Sequence, residues 1–197
     1  MTSVDRLRIA VTGASGFIGR HVLHELISRD VDVIALTRTA SRLSEFQETC
    51  EIRECDISCP EPDVFKKIGK PDTLVHLAWD GLPNYKSLHH FETELPVHYR
   101  FLKSVIEGGL KTLFVAGTCF EYGMMNGPLS EAMVTNPQNP YGFAKDALRK
   151  QLTFLECESN FKMTWGRLFY LYGEGQPPAS LYSQFLGAVE EKQGIFN

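Results

Sequence analysis

Leu7 to Thr12 (LRIAVT) runs straight into Gly13-Ala14-Ser15-Gly16-Phe17-Ile18-Gly19, and the next segment, RHVLHELISRD, carries apolar residues at helical spacing. The first run fits a strand buried on both faces. Strand, glycine turn and helix in direct succession leave few folds open. Glycine permits the tight turn and the close backbone approach, and the exposed N–H groups at a helix N-terminus can hold a pyrophosphate. Gly13, Ser15, Gly16, Phe17, Ile18 and Gly19 are therefore candidate cofactor-binding residues. The glycines are spaced three and three, against two and three in the commoner dinucleotide fingerprint.

The rest of the chain alternates in the same way. Strands are expected at Val31 to Thr37, Thr49 to Cys55, Asp72 to Ala78, Lys111 to Gly117 and Phe161 to Tyr170. Helices are expected between them, the longest over about His90 to Glu107, with another over Tyr141 to Glu158 and a last one from about Leu181 to Lys192. This order implies right-handed crossovers and an α/β fold: a Rossmann-type, doubly wound parallel sheet with helices on both faces and its ligand at the carboxyl ends of the strands. The one linker-like stretch is GEGQPPAS, Gly173 to Ser180.

At 197 residues the chain can bury one good core. A net charge of −4 without a basic stripe argues against nucleic acid and anionic membrane as partners. No apolar run approaches membrane-spanning length, and the first strand begins within a few residues of Met1, so a cytoplasmic protein is expected. Cys50, Cys55, Cys59, Cys119 and Cys157 are odd in number, which argues for thiols over a disulfide framework. Neither the first three of these nor His21 and His24 have the paired spacing of a zinc site, so no metal is expected.

Tyr141 and Lys145 stand four residues apart on an expected helix, and so on one face. Asn139 and Pro140 suit its N-cap and first position. A neighbouring ammonium and the positive helix end both favour the phenolate, which would bring a phenol with a reference pKa of about 10 toward the working range for proton transfer. The same spacing also occurs on ordinary amphipathic helices. The glycine turn is what tilts the reading toward chemistry.

TGASGFIG near the N-terminus, HLAW after the fourth strand, Thr118 after the fifth, and Tyr141 with Lys145 together resemble the extended short-chain dehydrogenase/reductase superfamily, in its NAD-dependent epimerase/dehydratase branch. The resemblance covers the chain from Arg6 to about Asn197. It implies a Rossmann domain over residues 1–172 and, at 173–197, the start of a small substrate-binding region. Relatives usually continue for roughly another hundred residues, an amount within ordinary domain sizes. Most of that region is therefore expected to be missing here.

By the same resemblance, Thr118, Tyr141 and Lys145 are the catalytic residues. Tyr141 would exchange a proton with the reacting oxygen, Thr118 would orient that oxygen, and Lys145 would hold the nicotinamide ribose while lowering the tyrosine pKa. Asp56 and Ile57 should border the adenine, with His76, Leu77 and Ala78 beneath the nicotinamide half. Strand two ends in Leu36-Thr37-Arg38-Thr39 with no carboxylate, and Arg38 could pair with a 2′-phosphate, so NADP is favoured, with NAD as the alternative.

Family members that dehydrate sugars carry an acidic pair after the threonine. Here Cys119 and Phe120 follow, and a phenyl ring cannot transfer a proton, which argues against 4,6-dehydration. Glu94 and Tyr170 stand where the family often has asparagine, while Tyr172 and Gly173 keep its YG. GTCFEYG, YGFAKD and GRLFYLYGEGQ most resemble reductases of nucleotide-linked 4-keto-6-deoxyhexoses. Trp79, Cys119, Phe120 and Tyr170 are the expected substrate contacts, and a homodimer through the two longest helices is the expected assembly. A nucleotide-sugar 4-epimerase and a cofactor-binding regulator without chemistry are the alternatives.

Overall fold

A computed structural model of the chain describes residues 6–59 and 62–191. Six strands run in chain order as β1 (Arg8–Thr12), β2 (Asp32–Thr37), β3 (Glu51–Glu54), β4 (Thr73–His76), β5 (Thr112–Thr118) and β6 (Lys162–Leu168). They form one sheet in the order β3-β2-β1-β4-β5-β6, and every pair is parallel. The α-helices are α1 (Phe17–Ile27), α2 (Val64–Lys67), α3 (Leu95–Glu107), α4 (Pro140–Glu158) and α5 (Leu181–Glu190).

Strand alternation sorts side chains between two cores. Ala10, Ile34 and Leu36 pack on one face with Phe101, Leu102 and Val105 of α3 and Leu148 and Leu152 of α4. Val11, Val33 and Ala35 pack on the other with Leu23 of α1 and with Leu43 and Phe46 of a 3₁₀ segment. Helices thus cover both faces. β1 lies at the topological switch, pairing with β2 on one side and β4 on the other, so a crevice opens beyond Thr12.

The expected elements agree with these within two residues at nearly every end. Two differences have clear physical causes. The long helix expected from His90 starts as one π-helical turn, His90–Glu94, before Pro96 near the N-terminus of α3. Thr118 lies inside β5, as its last residue, and also caps a short 3₁₀ turn, Cys119–Tyr122. Of the last expected helix, Lys192 lies outside the described residues, as do Met1 and Asn197 at the outer limits of the two expected domains. Among the described residues no helix is long and apolar enough to cross a membrane, and no disulfide joins the five cysteines.

Candidate active site

The glycine turn is built for close approach. Gly13 adopts φ +68°, and a methyl there would come within 2.7 Å of the Ala78 amide nitrogen. Gly19 faces the Gly13 carbonyl and the Ala14 backbone, where a methyl would stand 2.8 Å from Ala14 Cα. α1 therefore lies directly against the end of β1. Its N-cap, Gly16, has no side-chain cap, and no acidic residue occupies its first turn. The positive end of the helix is left open toward the crevice.

Two adjoining cavities fill that crevice and share Leu77 and Trp79 as a common wall. The smaller, about 280 Å³, is lined by Gly13, Ser15 and Gly16 from the turn, by Arg38 and Arg42, and by Asp56, Ile57, Ala78 and Asp80. The larger, about 780 Å³, holds Phe17, Ile18, Thr118, Cys119, Phe120, Tyr141, Lys145 and Tyr170. Gly19 supports the turn from below. His76 is fully buried and lies beneath the crevice, outside both linings. Tyr170 sits at the rim, 83% exposed.

Arg38 is not a free cation. Its guanidinium donates to Asp80 Oδ2 at 2.9 Å across the mouth of the smaller cavity. A hydrogen bond with Ser58 holds Asp56 below the usual carboxylate range. The arginine expected to meet a 2′-phosphate is thus already paired with a carboxylate from the loop after β4.

Asn139 caps α4 as expected, accepting from the Gly142 amide at 2.8 Å, with Pro140 at the first position. Tyr141 and Lys145 are both buried on the face that meets the larger cavity. Their electrostatics differ from the expectation. Burial pushes the Tyr141 phenol up, only partly opposed by its hydrogen bond with Thr118, and Lys145 is not among the groups that shift it. Without a ligand the tyrosine is a protonated phenol, and the proton transfer open to it is donation. Burial likewise drives Lys145 down to about 7, while Glu121 and Glu94 work to raise it. Burial also pushes the Cys119 thiol up, which suits a packing residue.

Thr118 is held by a residue that the sequence reading passed over. Its amide donates to Glu121 Oε1 at 2.8 Å, completing a capping box. Glu121 is fully buried and also accepts from Trp165 Nε1 at 3.0 Å and Arg167 Nε at 2.7 Å. The T-x-x-E spacing of Thr118 to Glu121 is a readable capping signal.

Below the crevice runs a buried chain of side chains. Thr12 Oγ1 lies 2.8 Å from His76 Nδ1, His76 Nε2 lies 2.7 Å from His98 Nδ1, and His98 Nε2 lies 3.1 Å from Glu94 Oε2. Thr12 Oγ1 already accepts from the Leu77 and Ala78 amides at 3.2 and 3.4 Å, so its hydroxyl hydrogen is left for His76 Nδ1. The direction of every later bond follows: His76 Nε2–H donates to His98 Nδ1, and His98 Nε2–H donates to the carboxylate. Both histidines are neutral in this arrangement. Burial lowers both their pKa values, His76 the more strongly. Burial favours the protonated form of Glu94, but donation from His98 and the Asp80 amide outweighs it and brings the group to about 2. Among the described residues no group of three or more His, Cys, Asp or Glu side chains is placed to hold a metal.

The family model described as "NAD dependent epimerase/dehydratase family" matches residues 9–196. The chain is 32% identical over 192 residues to dTDP-6-deoxy-L-talose 4-dehydrogenase (NAD(+)) of Aggregatibacter actinomycetemcomitans, covering 96% of this chain and 71% of that protein. It is 25% identical over 177 residues to UDP-glucose 4-epimerase of Halalkalibacterium halodurans, covering 87% of this chain and 52% of the relative. The solved structure of MoeE5 in complex with UDP-glucose and NAD superposes with a TM-score of 0.76 at 27% identity, covering 92% of this chain and 60% of the other. The chain thus spans about half of the epimerase's length and three-fifths of that structure's.

The pH response of the buried histidines has a definite sign. Their folded pKa values lie below the ordinary imidazole value of 6.5, so the unfolded chain takes up protons first. The stability they support is complete above about 6.5 and is lost as pH falls below it, with Glu94 adding a second loss between the ordinary glutamate value of 4.5 and about 2. Thermal melts from pH 8 to pH 5 should show a falling Tm below pH 6.5. A flat profile would show that the histidines are not held neutral.

Proposed function

The chain belongs to the NAD dependent epimerase/dehydratase family, and on that premise we propose that it is an oxidoreductase moving a hydride between a nicotinamide dinucleotide and a nucleotide-linked 4-keto-6-deoxyhexose. The observation that carries this reading is the convergence of Thr118, Tyr141 and Lys145 on one cavity that adjoins the open N-terminus of α1. The residues present fit the dinucleotide: Gly13 and Gly19, with no room for a methyl, let the turn pack tightly against the Leu77–Ala78 and Ala14 backbone, and the first turn of α1 offers its N–H groups to phosphate. Arg38, Asp56 and Ile57 would hold the adenosine half, and Leu77, Ala78, Tyr141 and Lys145 the nicotinamide half. Bound there, the dinucleotide supplies or accepts the hydride.

Tyr141 gives its phenolic proton to the sugar oxygen as that oxygen becomes a hydroxyl, and Thr118, fixed by Glu121, orients the oxygen. The protonated phenol supports the reducing direction. Leu82, Tyr85 and Phe120 line the cavity together with Tyr141 and give it apolar surface, which suits the methyl group of a 6-deoxy sugar. Cys119 and Trp79 complete the substrate wall, with Tyr170 at its rim. We assign residues 1–172 to the cofactor domain and 173–197 to the start of a substrate region: His21 of α1 meets the Glu174 carbonyl at 2.9 Å, and Gln176, Leu181 and Phe185 line the larger cavity. A second reading, 4-epimerisation, is supported by the likeness to UDP-glucose 4-epimerase and would use the same three residues while retaining the cofactor.

For the dinucleotide we propose a preference for NADP over NAD. Breaking the exposed Arg38–Asp80 pair costs about 0 to 1 kcal/mol, whereas an arginine–phosphate contact gives about 1.5 to 3 kcal/mol. The 6-deoxy-talose dehydrogenase relative, by contrast, is an NAD(+) enzyme. Titration of NADPH and NADH against wild type and Arg38→Ala should show tighter NADPH binding that the substitution removes. Equal affinities in wild type would refute the preference.

We also propose a homodimer through α3 and α4, because Phe143 and Phe154 of α4 stand 52% and 74% exposed on its outer face. Sedimentation at micromolar concentrations should show a dimer, and monomer throughout would contradict it.

Tyr141→Phe should abolish hydride transfer to a nucleotide-linked 4-keto sugar, a loss of about 100- to 10,000-fold, while dinucleotide binding stays near wild type. Stopped-flow measurement of nicotinamide oxidation reads the first and fluorescence titration the second. Unchanged turnover would mean that another group donates the proton. Bound NAD that survives purification would favour epimerisation.

A further inference from the structure

Lys145 is buried, yet among the described residues it makes no direct ion pair. Its ammonium lies 4.3 Å from the centre of the Trp79 ring and 5.6 Å from that of Trp165. A buried carboxylate stands behind each indole. Trp79 stacks on His98 with ring centroids 4.4 Å apart, and His98 donates to Glu94. On the other side, Trp165 Nε1–H donates to both oxygens of Glu121 at 3.0 and 3.1 Å. The two carboxylates come from different elements, neither of them α4.

Neither carboxylate is free to close on the lysine. Glu121 is tied to the Thr118 amide, to Trp165 and to Arg167, and Glu94 to His98, the Asp80 amide and His89. We propose that Glu94 and Glu121 are positioning residues that favour the ammonium form of Lys145 against its burial in an apolar cleft, acting from a distance across the two indoles. The indole faces add cation–π attraction. A direct ion pair would engage the N–H donors of Lys145. Remote counter-charges favour the charged form and leave those donors for a ligand. The proposal rests on the reading above only for the use made of that charge.

The groups facing Lys145 can be named element by element. Glu94 and His98 face it from the π-helical turn and α3, His76 from β4 and Trp79 from the loop after it. Glu121 faces it from the turn after β5, Trp165 from β6, and Tyr141 stands one turn back on α4 itself. Arg167 and Arg149 lie behind Glu121, at 2.7 and 3.9 Å from its Oε2. His76 and His98 are neutral, so the two glutamates are the net negative charges of this set. Burial opposes them, and the outcome at Lys145 is about 7.

The test is a pH titration of the Lys145 ¹³Cε resonance in the full chain, assigned by its loss in Lys145→Met. The wild-type midpoint is expected near 7. In Glu94→Gln and in Glu121→Gln it should fall by about one pH unit. Glu94→Gln keeps an oxygen for His98 and the Asp80 amide, so shape is retained while charge is removed; if Glu121→Gln does not fold, this variant decides alone. A midpoint unmoved in folded Glu94→Gln overturns the proposal, because a merely structural glutamate would leave the titration where it was. The measurement needs neither cofactor nor sugar. A chain whose Lys145 shifts as expected but which binds no dinucleotide would support the electrostatic arrangement and overturn the catalytic reading.

Discussion

The near contact of Gly13 with the Leu77–Ala78 backbone is the constraint on which the crevice depends. A methyl at Gly13 would stand 2.7 Å from the Ala78 nitrogen and 2.9 Å from the Leu77 carbonyl carbon, so β1 and the loop after β4 can meet this closely only without a side chain. Their meeting brings Thr12 Oγ1 within reach of the Leu77 and Ala78 amides. Those bonds in turn leave the Thr12 hydroxyl hydrogen for His76. One missing Cβ thus sets the tautomer of His76, and through it that of His98.

Two buried carboxylates divide the remaining work. Glu94 anchors the far end of the Trp79 loop through the Asp80 amide, 3.1 Å away, while Thr12 anchors its near end. Glu121 anchors the end of β5, and its oxygen would lie 2.6 Å from a methyl on Gly117, so that glycine is needed for the carboxylate to reach the Thr118 amide. The loop carrying Trp79 and the strand end carrying Thr118 are therefore pinned by hydrogen bonds to charged groups, which are stronger than neutral ones. α4 brings Tyr141 and Lys145 to the space between them.

The sheet was legible because short, near-continuous apolar runs bounded by turn residues mark buried parallel strands well, and the helices because their caps are written locally, as at Asn139. The pairing of Tyr141 with Lys145 on one face followed from helix geometry alone. Their charge states did not, since these depend on burial, and burial comes from residues as distant as Trp79 and Trp165. Arg38 looked unopposed because its partner, Asp80, is 42 residues away on the far side of the switch point. Glu94 and His98 stand at helical i, i+4 spacing, and the T-x-x-E of Thr118 to Glu121 is a local motif. Only the fold shows that both glutamates flank the same lysine.

Trp79 and Trp165 are the only two tryptophans of the chain, and both have their rings beside the Lys145 ammonium. The indole fluorescence of this chain therefore originates wholly beside Lys145, with no other tryptophan to dilute it. A change in brightness or colour reports on that spot and on nothing remote, which makes the unlabelled chain its own optical probe.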